Sequence, residues 1–228
     1  DFAPVADVRS NPENTVIGDR AYSGDPGRAA DAAAWVDGGM REAGIISVWK
    51  HFPGHGNTAT DSHQALPVVE LSREDWARGD AVPFRRAVEC GAPAVMAGHI
   101  RMTAFDPEYP ASLSHVLVSE VLREELGFTG VVCTDDLTMG AISDTYGMGE
   151  AAVLAVEAGC DLLLVCHGAD NLTQARQALL GAVDGGRISP ARLEESVYRI
   201  LALKAEYGLT NQTVEAPDVA ALNQAVQA

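Results

Sequence analysis

The chain has 228 residues, 47% of them hydrophobic and 21% charged, with 16 Lys and Arg against 32 Asp and Glu for a formal net charge of −16. This composition supports one large domain or two small ones around a real apolar core, and it excludes general disorder. So acidic a chain with no basic run cannot hold a phosphate backbone, which excludes nucleic acid, and no apolar stretch reaches the roughly 18 residues of a membrane span.

Phe2 to Val8 is a short apolar run. Because Asp1-Phe2-Ala3-Pro4-Val5 reads as the middle of a strand, the chain is expected to begin inside a longer one. Asp25-Pro26 opens a helix, with the Asp as cap and the Pro in the first turn, and Gly44 stops it after Ala43. Ile45 to Trp49 is the second predicted strand, followed by a long polar loop from about His51 to Glu70. Ser72 with Asp75 forms a capping box for a helix expected to break at Pro83 and resume to Cys90. Ala94 to Gly98 is the third strand.

A helix is predicted from His115 to Leu126, closed by Gly127, and Gly130 to Cys133 is the fourth strand. After a loop to about Tyr146, a helix runs from Gly149 to Ala158 and ends at Gly159. Asp161 to Cys166 is the fifth strand, its L-L-L-V core expected to be covered on both faces. Two helices follow at about Asn171–Val183 and Pro190–Tyr207, the second capped by Ser189 and stopped by Gly208. Thr210 to Ala228 is a tail, helical or frayed. With no internal repeat or linker, residues 1–208 read as one domain and 209–228 as its tail. Cys90, Cys133, Cys160 and Cys166 lie among apolar neighbours without a C-x-x-C pair, and are expected to be reduced core thiols of a cytoplasmic protein.

Five β-α units in series mean an α/β fold with a parallel sheet. The polar residues cluster at strand ends, where such sheets place their sites. An incomplete barrel and an open doubly wound sheet both satisfy this pattern. Neither G-x-G-x-x-G nor G-K-[ST] is present, which removes the two commonest nucleotide signatures.

The densest polar cluster is Lys50-His51-Phe52-Pro53-Gly54-His55-Gly56, followed by Asp61-Ser62-His63. Three readings stay open. His51, His55 and His63 could ligate a metal, although Pro53, Gly54 and Gly56 forbid the helical spacing that metal sites favour. They could be solvated loop histidines. Or Asp61 and His63, two apart in extended chain, could point the same way, the carboxylate raising the imidazole pKa and fixing its tautomer for proton transfer. The segment Gly54–Ser62, with Ala59 its single apolar residue, is expected to be mobile and to close over a ligand. The second candidate is Thr134-Asp135-Asp136 at the end of the fourth strand. Consecutive strand residues face opposite ways, so one aspartate faces the interior. Either parity fits.

K-H-F-P-G-H-G, then D-S-H, then T-D-D-L-T-M together resemble glycoside hydrolase family 3, in its single-domain β-N-acetylhexosaminidase branch. F-A-P-V-A-D-V, the N-x-V-I-G-D-R of Asn14–Arg20 and Ala97-Gly98-His99 are similar to the same family, so the resemblance runs from Phe2 to about Tyr207. It departs from the usual pattern at Asn57, where Asp is common, and at Gly98, where Ala is. The resemblance implies a (β/α)8 barrel of which this chain supplies strands four to eight, so that an upstream segment completes the site. It also implies retaining hydrolysis of terminal β-linked N-acetylglucosamine, with muropeptides of cell-wall recycling as substrates and no metal or organic cofactor. Asp135 matches the nucleophile, His63 the acid/base oriented by Asp61, and Arg20, Lys50 and His51 the groups that bind sugar hydroxyls. Phosphorolysis of the same glycosides, and a fragment that only binds sugar, are the alternatives.

Overall fold

The computed structural model describes residues 1–58, 66–212 and 218–227. Four parallel strands form one sheet in the order β1-β3-β5-β6: β1 (Val48–Phe52), β3 (Ala94–Ala97), β5 (Val131–Asp136) and β6 (Leu162–Leu164). A two-residue pair, β2 (Val68–Val69) with β4 (Arg101–Met102), lies apart from it and is also parallel. The predicted first strand is reduced to a single bridge, Val5 to Lys50, with Ala6 N–H donating to the Lys50 carbonyl at 2.7 Å. Among the described residues, Val5 and the four strands give this sheet five parallel segments, the number expected from the β-α units.

Between the strands run α1 (Pro26–Glu42), α2 (Arg73–Arg78), α3 (Ala81–Glu89), a wide π-type helix (Val116–Glu125), α4 (Gly140–Ser143) and α5 (Met148–Ala158), and after β6 come α6 (Ala169–Asp184), α7 (Pro190–Glu206) and α8 (Val219–Gln227). The predicted caps hold: Asp25, Ser72 and Ser189 each accept the backbone N–H three residues on. Gly159, at φ +118, closes α5 in a conformation that favours glycine.

One face of the sheet, through Trp49, Phe52, Val95 and Val132, packs on α1, α3, the π-type helix and α5. Phe52 meets Phe84 and Trp76 edge to face, with centroids 5.2 and 6.4 Å apart. Each such buried aromatic contributes about 1.5–3 kcal/mol from area alone. The other face, through Val48, Ala94, Met96, Val131, Cys133 and Leu164, is met by Ile200 and Leu203 of α7. Asp161, just before β6 and with its side chain fully buried, accepts from Arg123 at 2.6 Å, Arg199 at 3.0 Å and Ser196 at 2.7 Å. That network anchors α7 and the π-type helix at the end of the sheet away from the aspartate pair.

Four expectations are corrected. The helix after Ser72 breaks at Gly79-Asp80 and not at Pro83, which sits in the first turn of α3 where its missing N–H costs nothing. The second strand is displaced toward the C-terminus, so Lys50 and His51 lie on β1 rather than beyond it. β6 is covered only in part: Leu163 packs against one apolar cluster and Leu164 against another, but Leu162, on this edge strand, is 39% exposed. Cys133 and Cys160 are buried thiols, but Cys90 is only half-buried and Cys166, past the end of β6, is exposed. Among the described residues no helix is long and apolar enough to cross a membrane.

Candidate active site

The polar residues collect at the carboxyl ends of β1, β3 and β5. Parallel pairing in register, Val48 to Ala94 and Ala94 to Val131, sets which side chains share a face. Val131 and Cys133 pack with Val48, Ala94 and Met96, so Asp135, of the same parity, faces the side onto which Lys50 projects. The charge of Asp135 acts on Lys50, as does that of Arg20. Burial pulls the Lys50 amine below its ordinary value, Arg20 adds to the fall, and Asp135 and Asp7 oppose it. Arg20 stands in an exposed turn, donating to the Val16 carbonyl at 3.3 Å. Three of the six predicted site residues are thus brought into one electrostatic neighbourhood.

Asp136 is occupied with the local fold. It accepts from Thr138 N–H at 3.1 Å, the Thr138 hydroxyl at 2.5 Å and Cys166 N–H at 2.9 Å. Burial would raise its carboxyl, but these bonds outweigh burial and hold it below the usual range. Among the described residues the Asp135 carboxylate accepts the adjacent Asp136 N–H, at 2.8 Å. A cavity of about 310 Å³ opens beside the pair, lined by Asp135, Asp136, Thr138, Met139, Gly140 and His167.

Asp7 organises the Lys50–Gly56 turn. Its fully buried carboxylate accepts the backbone N–H of His51 at 3.2 Å and of His55 at 2.7 Å, and its second oxygen accepts the His51 Nδ1–H at 2.7 Å. Burial pushes the Asp7 carboxyl upward, yet His51 and His55 prevail and it stays below its ordinary 3.8. With Nδ1 held by Asp7, the opposite edge of the His51 ring, Nε2, is the one available for a ligand. The Lys50–His51 and Phe52–Pro53 peptides are cis. Gly56 is required by close approach, since a Cβ there would lie 1.7 Å from the Val8 carbonyl oxygen. Asn14 joins the two loops, donating to the His55 carbonyl at 2.7 Å and accepting from Ile17 N–H at 2.8 Å.

His99, at the end of β3, is fully buried and bridges the strands. Its Nε2 contacts the Asp136 carbonyl at 2.9 Å and therefore carries the proton, leaving Nδ1 to accept from the Ser112 hydroxyl at 2.7 Å. Burial lowers its pKa, consistent with that neutral form. His99 thus fixes the backbone from which Asp135 projects.

Asp61 and His63 lie outside the described residues, as do residues 59–62 of the segment expected to be mobile. Among the described residues no group of three or more His, Cys, Asp or Glu is arranged to hold a metal ion. His51 and His55 stand edge to face with centroids 5.7 Å apart, and their Nδ1 atoms are engaged by Asp7 and the Thr58 hydroxyl. The roles of Asp7 and Asn14 are not legible in the sequence as site functions, although Asp7 interrupts an apolar run, and His99 is legible only as one of the polar residues just after a strand end. Asp7→Ala is expected to destabilise the protein by about 3 kcal/mol or more, because three buried donors lose their acceptor. The depressed carboxyl makes this contribution fully present above about pH 4 and lost as the pH falls through its folded value. Urea melts of both proteins at neutral pH and near pH 3 measure it; equal stability at neutral pH would refute the anchoring role.

Residues 1–203 match the glycosyl hydrolase family 3 N terminal domain. The chain is 35% identical over 205 residues to a beta-hexosaminidase of Nitrosomonas eutropha, an alignment covering 89% of this chain and 58% of that protein. It superposes with a TM-score of 0.92 on the family 3 beta-N-acetylglucosaminidase of Paenibacillus sp. str. FPU-7, at 45% identity, over 96% of this chain and 42% of that one. A beta-glucoside phosphorylase, BglX, is also similar: TM-score 0.89, 30% identity, 98% of this chain and 41% of that one. The chain spans less than two thirds of the length of these relatives.

Proposed function

The chain belongs to glycosyl hydrolase family 3, and on that premise we propose that it supplies the reacting groups for retaining hydrolysis of terminal, non-reducing β-linked N-acetylglucosamine. The observation that carries this reading is the half-buried Asp135 carboxylate at the end of β5, on the face of Lys50, whose amine feels the charges of both Asp135 and Arg20. Asp135 attacks the anomeric carbon while protonated His63, oriented by Asp61, gives its proton to the departing oxygen. Neutral His63 then takes a proton from water, whose oxygen displaces Asp135 and releases the sugar with its configuration retained. Arg20, Lys50 and the Nε2 edge of His51 bind the sugar hydroxyls as fixed polar partners. No metal or organic cofactor takes part.

Muropeptides of cell-wall recycling are the substrates we infer, and the cytoplasm the compartment, the latter supported by the buried thiols of Cys133 and Cys160. Residues 1–208 are read as the later part of the barrel and 209–228 as a tail. The exposed edge of β6 and an apolar groove of about 460 Å³ that includes Leu162, Leu163, Leu172 and Leu180 are where the remaining barrel strands would dock. The shorter span relative to its relatives supports this.

Similarity to a phosphorylase favours a second reading. A neutral imidazole carries no negative charge, so phosphate could approach where a second carboxylate would repel it. Incubation of the protein with a β-N-acetylglucosaminide, with and without inorganic phosphate, separates the two. Hydrolysis gives free N-acetylglucosamine at a rate indifferent to phosphate, whereas phosphate-dependent sugar 1-phosphate would replace it with phosphorolysis. Sugar binding without either product would leave only the binding role.

A further inference from the structure

Asp80 precedes α3, a position from which an aspartate ordinarily accepts a hydrogen bond from the first turn, yet it makes no such bond. Its side chain turns inward and the residue is only 3% exposed. A Cβ built on Gly54 would lie 2.5 Å from Asp80 Cβ and 2.8 Å from Cγ, so the carboxyl group rests directly against the Gly54 backbone, which stands at φ +127. Asp80 Oδ1 is buried without a hydrogen-bond partner. From the same segment, Trp76 Nε1 donates to the Pro53 carbonyl at 2.9 Å. The α2–α3 segment therefore floors the Pro53–Gly54 turn, whose flanking residues His51 and His55 are held by Asp7.

We propose that Asp80 is a positioning residue that works as a neutral carboxylic acid, filling the space beneath Gly54 and holding the His51–His55 turn in the shape that sugar binding requires. Its effect on activity rests on the hydrolase reading of that turn; its effect on stability does not.

Two features require the neutral form. An ionised Asp80 would leave a buried carboxylate oxygen unpaired, which is costly. It would also face the Asp7 anion, the charged group that acts on it. His51 and His55 are both bound to Asp7, and on its own segment Arg78 is paired with exposed Asp75 at 2.8 Å. Burial, with Asp7 adding to it, raises the Asp80 carboxyl to about 7. The folded protein therefore keeps a proton that the unfolded chain has already lost between about pH 4 and pH 7. Stability falls as pH rises through that window and is level above it.

The test compares Asp80→Asn and Asp80→Ala with the parent in the intact protein. Asn keeps the shape and removes the ionisation. Its Tm is expected to exceed the parent's by about 4 °C or more at pH 8.5 and to match it near pH 3.5, below the unfolded pKa. Asp80→Ala opens the floor, and kcat/KM on a β-N-acetylglucosaminide is expected to fall about tenfold, mainly through KM, with Asn recovering most of the loss. An Asn variant less stable than the parent at both pH values would show that the charge is needed and overturn the proposal. So would an Asn variant no more active than Ala. If Asp80→Ala does not fold, the pH dependence of Asp80→Asn decides alone. A melting difference seen in a parent without glycosidase activity would count for the neutral Asp80 and against the hydrolase reading.

Discussion

Asp135→Asn is expected to lower turnover by about 10⁴-fold or more while leaving the fold in place, because a nucleophile is lost and little packing changes. Asn retains an oxygen for the Asp136 N–H that Asp135 Oδ1 accepts at 2.8 Å, and the side chain is only half-buried. The stability change is therefore expected to stay within about 1 kcal/mol. A mechanism-based fluoro-sugar that halts the second displacement should leave its label on Asp135. The neighbouring carboxylate is a poor competitor: Asp136 already accepts two donors from Thr138 and one from Cys166, and attack would forfeit them. A mass spectrum placing the label on Asp136, or a folded Asp135→Asn protein with undiminished turnover, would reverse the assignment. The same substitution removes a negative charge that supports the Lys50 ammonium, so the Lys50 pKa should fall further below its ordinary value.

What could be read from the chain beforehand divides along the line between local and distant causes. The caps at Asp25, Ser72 and Ser189 and the stops at Gly44, Gly159 and Gly208 are set within one turn, and each lies where the sequence places it. The choice between Asp135 and Asp136 is not local. It depends on β5 pairing in register with β3 and on that sheet presenting Val131 and Cys133 to Met96 and Ala94. Alternation alone gives two faces and no means of choosing between them. Asp7 is further out of reach, because its partners lie 44 and 48 residues away. Only its charge within an apolar run hints that something must compensate its burial. The Leu162–Leu164 run was legible only in part: Leu163 and Leu164 each meet an apolar cluster, but how completely a leucine is covered depends on distant neighbours, and Leu162 stays exposed. Pro83 likewise signalled a break that the glycine four residues earlier had already made.

His63→Ala is expected to separate substrates by leaving group. The first step expels an oxygen from the anomeric carbon, and a poor leaving group such as a sugar or peptidoglycan alkoxide needs a proton as it departs. An activated aryl leaves as a stable phenolate without one. Loss of a general acid should therefore cost about 10²–10⁴-fold on the natural type of glycoside and far less on the aryl type. For aryl substrates the second step then becomes limiting, since no base remains to activate water, and a burst of phenolate followed by a slow phase should appear. A small anion such as azide, needing no deprotonation, should relieve the slow phase by capturing the glycosyl-enzyme. Asp61→Asn should show the same pattern more weakly, because the imidazole remains but loses the carboxylate that raises its pKa and fixes its tautomer. Equal losses on both substrate classes, with no burst and no rescue by azide, would mean that His63 does something other than carry the proton.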